Sequence, residues 1–247
     1  MIIKTTAPDN HVGEELKALA ANCCRHDNQL LSYPLNDADS HYLFYTDDGL
    51  LVSAAAMTDL GGGVTECSAF TLPEYRRQGY FSYLLKQALA DCGETDILFA
   101  CEPDCMDTIS VLKHLQAEPD TCEYQMKYSL CQPLKIPAPS HPCLSLTHIR
   151  QAEGTVHWQL IYRGSEIGSC LTTWISEDQV CLHQLMIHND RQHQGFGQDL
   201  LRLLISRLSG LAVRTVILQV SGRNAAALAL YAKTGFSITR ALSYYYY

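Results

Sequence analysis

The segment Gln192–Gly197 combines residue types and a spacing that could bind an anionic ligand. It reads Gln-His-Gln-Gly-Phe-Gly and directly precedes a run rich in leucine. When a glycine loop opens a helix, several backbone N–H groups point to one place, and the helix dipole makes that place electropositive. A side chain at Gly195 or Gly197 would hold a ligand away from the backbone. The pattern favours a phosphate or pyrophosphate site; an ordinary tight helix entry is the alternative.

Such a loop needs a strand before it and a helix after it, and the sequence predicts both. Residues 180–187 are almost continuously apolar and predict a strand, and residues 198–204 predict the helix. A second strand is predicted at residues 216–220. A second helix follows it, beginning at Asn224 and ending near a Gly-Phe pair at 235–236.

The loop and the second helix together resemble the GNAT superfamily of acetyl-CoA-dependent N-acetyltransferases. The acyl-CoA loop of that family is R/Q-x-x-G-x-G/A after a strand, and its next helix carries N-x-x-A-x-x-L-Y-x-x-x-G-F. Both motifs are present here in that order, at 192–197 and 224–236. The resemblance implies an α/β fold of two GNAT-like domains, each a mixed, mostly antiparallel sheet flanked by helices. It implies acetyl-CoA as the co-substrate and a primary amine as the acceptor.

The resemblance also assigns residues to roles. The strand before the loop offers backbone groups to pantetheine, and the loop binds the pyrophosphate. Tyr231 matches the residue that protonates the coenzyme A thiolate, and a packed core tyrosine is its alternative. Asn224 matches a helix-start residue near the cofactor, although it would serve equally well as a plain N-cap. The residues expected to bind the cofactor are Leu185, Met186, Ile187, Gln192, His193, Gln194, Gly195, Phe196, Gly197 and Asn224.

The general base is the weakest part of the pattern. Many family members use a glutamate on the strand before the loop, but this strand has no carboxylate. His183 has a suitable side chain and is the candidate, against the alternative of an ordinary hydrogen-bonded histidine. His188 and His193 follow it at intervals of five, a spacing that does not converge three imidazoles, so no metal site is expected.

The two halves of the chain repeat the same order of predicted elements. Gly195 follows Gly79 by an offset of 116 residues, which indicates an internal duplication. The first loop has Phe81 where the pattern wants glycine or alanine, so that copy is expected to be degenerate. The expected divisions are an N-terminal domain at 1–132, a proline-rich linker at 133–142 and a catalytic C-terminal domain at 143–247.

Composition narrows the class of protein. A net charge of −8 argues against a nucleic-acid groove, and no apolar stretch is long enough to cross a membrane. Eleven cysteines without a C-x-x-C motif are typical of reduced thiols, which indicates a cytoplasmic protein. A homodimer is left open.

The combined prediction is a tandem GNAT enzyme that transfers an acetyl group directly, with Tyr231 as the general acid. The acceptor stays open between a small amine, an amino acid and a peptide N-terminus. The alternative from another class is a non-catalytic acyl-CoA-binding or regulatory module that has kept the fold. The missing carboxylate favours that alternative, and the paired motifs favour the enzyme.

Overall fold

The computed structural model describes residues 1–130, 136–151 and 154–247. By their contacts these residues form two compact units. The first comprises Met1–Thr121 together with Leu242–Tyr247, and the second comprises Cys122–Ala241.

The first unit is a sheet with helices packed on it. Its strands lie in the order β1-β2-β3-β4-β5 and are antiparallel, except that β4 and β5 run parallel. Helix α1 begins at the Asp9 cap, whose carboxylate accepts from the Val12 N–H at 2.9 Å. The elements are β1 Ile2–Thr5, α1 Asn10–Asp27, β2 Ser40–Tyr45, β3 Leu51–Gly61, β4 Val64–Thr71, a 3₁₀ turn Pro73–Tyr75, α2 Tyr80–Cys92, β5 Asp96–Cys101 and α3 Met106–His114.

The second unit has the same plan with one omission. Its strands lie in the order β7-β8-β9-β10-β11-β6, and only β10 and β11 run parallel. Only four residues, 151–154, join β7 to β8, which is too few for a helix of the length of α1. The elements are β6 Glu118–Ser129, β7 Leu144–Arg150, β8 Thr155–Tyr162, β9 Ser165–Trp174, β10 Gln179–Ile187, a 3₁₀ turn Asn189–Arg191, α4 Phe196–Ser209, β11 Thr215–Ser221, α5 Ala225–Lys233 and β12 Ser237–Tyr246.

Each unit contains a strand segment that comes from the other half of the sequence. Strand β6 follows the first-half elements, yet it pairs with β11 of the second unit from Glu123↔Ser221 to Ser129↔Thr215. The end of β12 pairs with β5 of the first unit, from Ser243↔Cys101 to Tyr246↔Leu98. The boundaries of the units therefore differ from the predicted 1–132 and 143–247, because strand pairing rather than chain order decides membership.

The predicted linker at 133–142 is part of the second unit where the structure describes it. Its first three residues, 133–135, lie outside the described residues. Ile136 packs against the second unit's core, and Ser140 and His141 hydrogen-bond to a side chain of α4. Residues 136–139 have no regular structure, as expected for a proline-rich stretch.

Candidate active site

Strands β10 and β11 pair over a short length and then separate. Their parallel register covers Gln179↔Thr215 to Cys181↔Ile217 and ends there. On its other side β10 stays paired with β9 as far as Ile187, across a β-bulge between His183 and Met186. From Leu182 onward, the β11-facing edge of β10 therefore has backbone groups outside that ladder. Leu185, Met186 and Ile187, which we expect to bind pantetheine, lie on this part of the strand.

The bulge depends on two backbone features that sequence reasoning missed. Gln184 adopts a positive φ of 51°, which shifts the register of the strand. Gly168 on β9, opposite Ile187, lies so close to β10 that an added Cβ would be 2.6 Å from the Met186 carbonyl oxygen. Only glycine allows this approach, so Gly168 fixes the shape of the widened strand. An isolated glycine inside a strand was the available signal.

The loop after β10 presents a row of backbone donors. His193 and Gly195 adopt positive φ angles of 58° and 90°, and α4 begins at Phe196. Among the residues that the structure describes, the N–H groups of Gln194, Gly195, Phe196 and Gly197 donate to no protein acceptor. These groups, at the positive end of a helix dipole, are suited to bind a diphosphate.

Side-chain amides hold the loop in this shape. Gln192 Nε2 donates to the Ile187 carbonyl oxygen at 2.9 Å, and Gln194 Nε2 donates to the Asp190 carbonyl oxygen at 2.9 Å. Both side chains therefore shape the site rather than extend toward a ligand, and the backbone at 194–197 supplies the donors.

Gly197 has a steric role between two helices. A Cβ at this position would be 3.2 Å from Leu230 Cδ2 on α5 and 3.9 Å from Ile187 Cγ1 on β10. A larger side chain would therefore meet both the helix and the strand that border the loop. The requirement for glycine predicted from the motif has a physical basis here.

Tyr231 is buried in the core of the second unit, with 8% of its surface exposed. Its ring packs on Phe236 at a centroid distance of 5.6 Å. Burial raises the pKa of the phenol to about 12, with a smaller contribution from Cys170. Within the described part of the chain, its hydroxyl has no hydrogen-bond partner and is not sealed from solvent. The hydroxyl therefore remains a neutral donor at pH 7 that a ligand could use.

His183 lies on the other face of the sheet. Its neighbour Leu182 belongs to the core cluster that contains Tyr231, and side chains alternate along a strand. His183 Nε2 is 2.9 Å from Thr173 Oγ1, which is 2.9 Å from Thr155 Oγ1. The structure therefore does not bring His183 and Tyr231 into contact, but His183 lies where β10 leaves β11.

The remaining predicted residues have plainer roles. Asn224 caps α5, and its side-chain oxygen accepts from the Ala227 N–H at 3.0 Å. This contact is that of an ordinary N-cap, the alternative to a cofactor-binding role, and Asn224 makes it without a ligand. His193 contributes its positive φ to the loop and has an exposed side chain.

The first unit contains a second loop with nearly the same backbone. Arg77 and Gly79 adopt φ angles of 61° and 88°, and Gln78 Nε2 donates to the Glu74 carbonyl oxygen at 3.0 Å. Each of these residues precedes its counterpart in the second loop by 116 positions. Strands β4 and β5 likewise pair only from Val64 to Glu66. The backbone plan of the site therefore occurs twice.

The side chains around the first loop are different. Phe81, at the position of Gly197, packs against Phe99 at a ring-centroid distance of 6.3 Å. Arg76 is held by Asp27 at 2.7 Å and by Asp107 at 2.8 Å, which places two carboxylates near the loop. A bulky ring at the position of Gly197, and an arginine already paired with two carboxylates, are unfavourable for binding a diphosphate.

Helix α3 also lacks a phenol at the position of Tyr231. Helices α3 and α5 both contain nine residues, and the seventh is Leu112 in one and Tyr231 in the other. Each is the buried residue of its helix.

The comparisons with known proteins agree with this architecture. Residues 123–236 match the model of the Acetyltransferase (GNAT) family. The ribosomal protein bS18-alanine N-acetyltransferase of Escherichia coli is 36% identical over 87 residues, which are 35% of this chain and 58% of that protein. The chain thus spans less than two thirds of the length of the curated relatives it matches.

Solved structures match the fold over the whole chain. A GCN5-related N-acetyltransferase from Sphaerobacter thermophilus superposes with a TM-score of 0.74 and 13% identity, covering 100% of this chain and 95% of the other. A tandem GNAT protein from the clavulanic acid biosynthesis pathway gives 0.70 and 15%, with coverages of 100% and 98%. No described helix is long and apolar enough to cross a membrane. This chain therefore has the fold of the GNAT acetyltransferases, and its residues 123–236 carry the sequence pattern of that family.

Proposed function

We propose that this chain is a tandem GNAT enzyme that transfers an acetyl group from acetyl-CoA to a primary amine, and that the second unit carries the reaction. The observation that carries the proposal is the separation of β10 from β11, with four unpaired N–H groups at 194–197 beyond it. This arrangement offers one extended binding path, from a diphosphate site at the loop to a pantetheine site along β10.

The reaction assigns a task to each group on this path. The amine nitrogen attacks the thioester carbon, the carbon–sulfur bond breaks, and the amine loses a proton while the sulfur gains one. Backbone N–H groups of β10 near the bulge are placed to polarise the thioester oxygen. Tyr231 donates a hydrogen bond and its proton to the departing sulfur, and His183 is the candidate that accepts the amine's proton.

The thiol near Tyr231 is unsuited to form an acetyl-enzyme intermediate, which favours direct transfer of the acetyl group to the amine. Cys170 belongs to the same core cluster as Tyr231 and is fully buried. Burial raises the pKa of its thiol to about 12. A thiol in this environment is a poor nucleophile at neutral pH, so the amine itself is the attacking group.

The acceptor that we propose is the N-terminal amine of a peptide or protein. The curated relative acts on the alanine of a ribosomal protein. In the second unit the face of the sheet that carries His183 also carries Thr173 and Thr155, and the four residues between β7 and β8 are too few for a helix like α1. An open, polar sheet face can accept an extended substrate more readily than a covered one.

A direct assay tests this function. Acetyl-CoA is mixed with the full chain and a panel of amines: free amino acids, polyamines, and peptides that begin with alanine or serine. Thiol release and the mass of the acetylated product are measured. We expect turnover with the peptides. Binding of acetyl-CoA without turnover on any amine would favour the non-catalytic module instead.

The two loops should differ in their affinity for acetyl-CoA. Gly197→Phe should abolish binding, because the new ring would meet Leu230 and Ile187 at the loop. Phe81→Gly in the first loop should leave binding unchanged and serves as the matched control. Isothermal titration calorimetry should give one site per chain. Two equivalent sites per chain, or loss of binding in Phe81→Gly but not in Gly197→Phe, would contradict the assignment of the acetyl-CoA site to the second unit.

A further inference from the structure

A short segment of the predicted linker lies directly beside the proposed diphosphate loop. The imidazole of His141 stacks on the ring of Phe196, the first residue of α4, at a centroid distance of 4.1 Å and an interplanar angle of 26°. Its Cε1 atom is 3.6 Å from the place where a Cβ on Gly195 would lie. The ring thus covers the residues whose N–H groups face the ligand site.

A buried carboxylate fixes this segment in place. Asp199, in the first turn of α4, has 0% of its surface exposed. It accepts from the Ser140 N–H at 2.8 Å, from the His141 N–H at 3.1 Å and from His141 Nδ1 at 2.7 Å. Arg202 closes the arrangement, donating to Asp199 Oδ1 at 3.1 Å and to Ser140 Oγ at 2.9 Å.

These contacts differ from those of an ordinary acidic residue in a helix start, which is exposed to solvent. Burial alone raises the pKa of Asp199, but the hydrogen bonds from Ser140 and His141 outweigh it and lower the pKa below the usual value. The carboxylate is therefore ionised, and the donors around it compensate its charge. A compensated carboxylate can lie one turn from a diphosphate site without repelling the ligand.

We propose that Ser140–His141, which we call the strap, is a positioning element for the diphosphate-binding loop. Asp199 holds the strap against α4, and the strap holds Gly195 and Phe196 in the orientation that aims their N–H groups at the ligand. This inference rests on the proposed acetyl-CoA site in the second unit. The strap acts through the loop, and the diphosphate is the part of the cofactor that depends on it.

The test compares two acyl donors, of which only acetyl-CoA carries the diphosphate and the phosphorylated adenosine attached to it. His141→Ala removes the ring but keeps the backbone N–H that donates to Asp199. In the full chain it should raise the KM for acetyl-CoA about tenfold or more, the scale expected for a charge-assisted contact. The KM for S-acetylpantetheine, which lacks the diphosphate, should not change, and kcat should stay within about threefold, well inside that tenfold step.

Two further variants separate positioning from folding. His141→Asn restores a side-chain N–H near the position of Nδ1 and should recover part of the affinity for acetyl-CoA. His11→Ala, at an exposed position of α1 in the first unit, should leave both donors unaffected. Thermal midpoints are measured for all variants.

The outcomes are distinct. Equal increases in the KM for both donors, or a loss of affinity that follows the thermal midpoint, would make the strap a general stabiliser and overturn the inference. An unchanged KM for acetyl-CoA in His141→Ala would overturn it as well, with the proposed function left standing. Failure of the unaltered chain to bind coenzyme A would overturn both.

Discussion

Replacing Tyr231 by phenylalanine is expected to lower kcat by about 10²–10⁴-fold, the usual contribution of general acid catalysis. The substitution removes one hydroxyl and keeps the ring that packs on Phe236. The dissociation constant for acetyl-CoA should therefore stay almost unchanged, because the loss falls on the transition state. Steady-state kinetics and calorimetry on the same variant measure both quantities.

Tyr128→Phe is a matched control for this experiment. Tyr128 is also a partly buried phenol whose ring lies on Phe236, at a centroid distance of 5.3 Å. It should keep kcat within about threefold of the unaltered chain, far from the general-acid range. If Tyr231→Phe keeps near-normal turnover but loses stability, Tyr231 is a core residue and the acid role is refuted.

The pKa of Tyr231 also sets the pH dependence. A phenol whose pKa is raised to about 12 keeps its proton throughout the neutral and moderately alkaline range. The donor is lost only as pH approaches that value. A decline of kcat between pH 7 and roughly pH 10, the ordinary range below a tyrosine pKa, must then come from another group.

Residues 143–247, expressed alone, are expected to be insoluble or unable to bind acetyl-CoA. This fragment lacks β6, so β11 loses the antiparallel partner that runs from Glu123 to Ser129. It also lacks Ser140 and His141, so Asp199 would be buried without three of its donors. Arg202 alone would remain beside this carboxylate. A buried group that loses its hydrogen-bond partners destabilises a protein by about 1–3 kcal/mol, and by more when it is charged, which is a large part of the total stability.

The fragment 118–247 is the matched comparison. It restores both β6 and the strap, and we expect it to be soluble and to bind acetyl-CoA. Solubility, circular dichroism and calorimetry distinguish the two fragments. A fully active 143–247 fragment would refute the assignment of residues 122–130 to the second unit.

The local parts of the site could be predicted from the sequence. Residues 192–195 form a loop that leads into α4, because glycine and short-range amide contacts determine the backbone there. Tyr231 was singled out by the resemblance of residues 224–236 to a family motif, and it lies on the helix that this motif predicts. Both depend on residues close together in the chain, where residue type and spacing carry the information.

Contacts between distant residues could not be predicted in this way. The pairing of β6 with β11 joins residues about 90 positions apart, and alternation of side chains does not specify a partner strand. The strap lies in a proline-rich stretch, which the sequence predicts to be a linker. Its anchor is one carboxylate on α4, which in the sequence looks like an ordinary acidic residue of a helix start. Only its complete burial distinguishes Asp199 from an exposed residue.

The exchange of strand segments affects how the protein can fold while it is being synthesised. Residues 243–246 complete the edge of β5, which emerges from the ribosome more than 140 residues earlier. Until then β5 has an open edge, and open edges are sites of mispairing and aggregation. Contacts this far apart in sequence also form slowly. The sheet of the first unit is therefore completed only after β12 has been made, whereas the second unit does not depend on the first in this way.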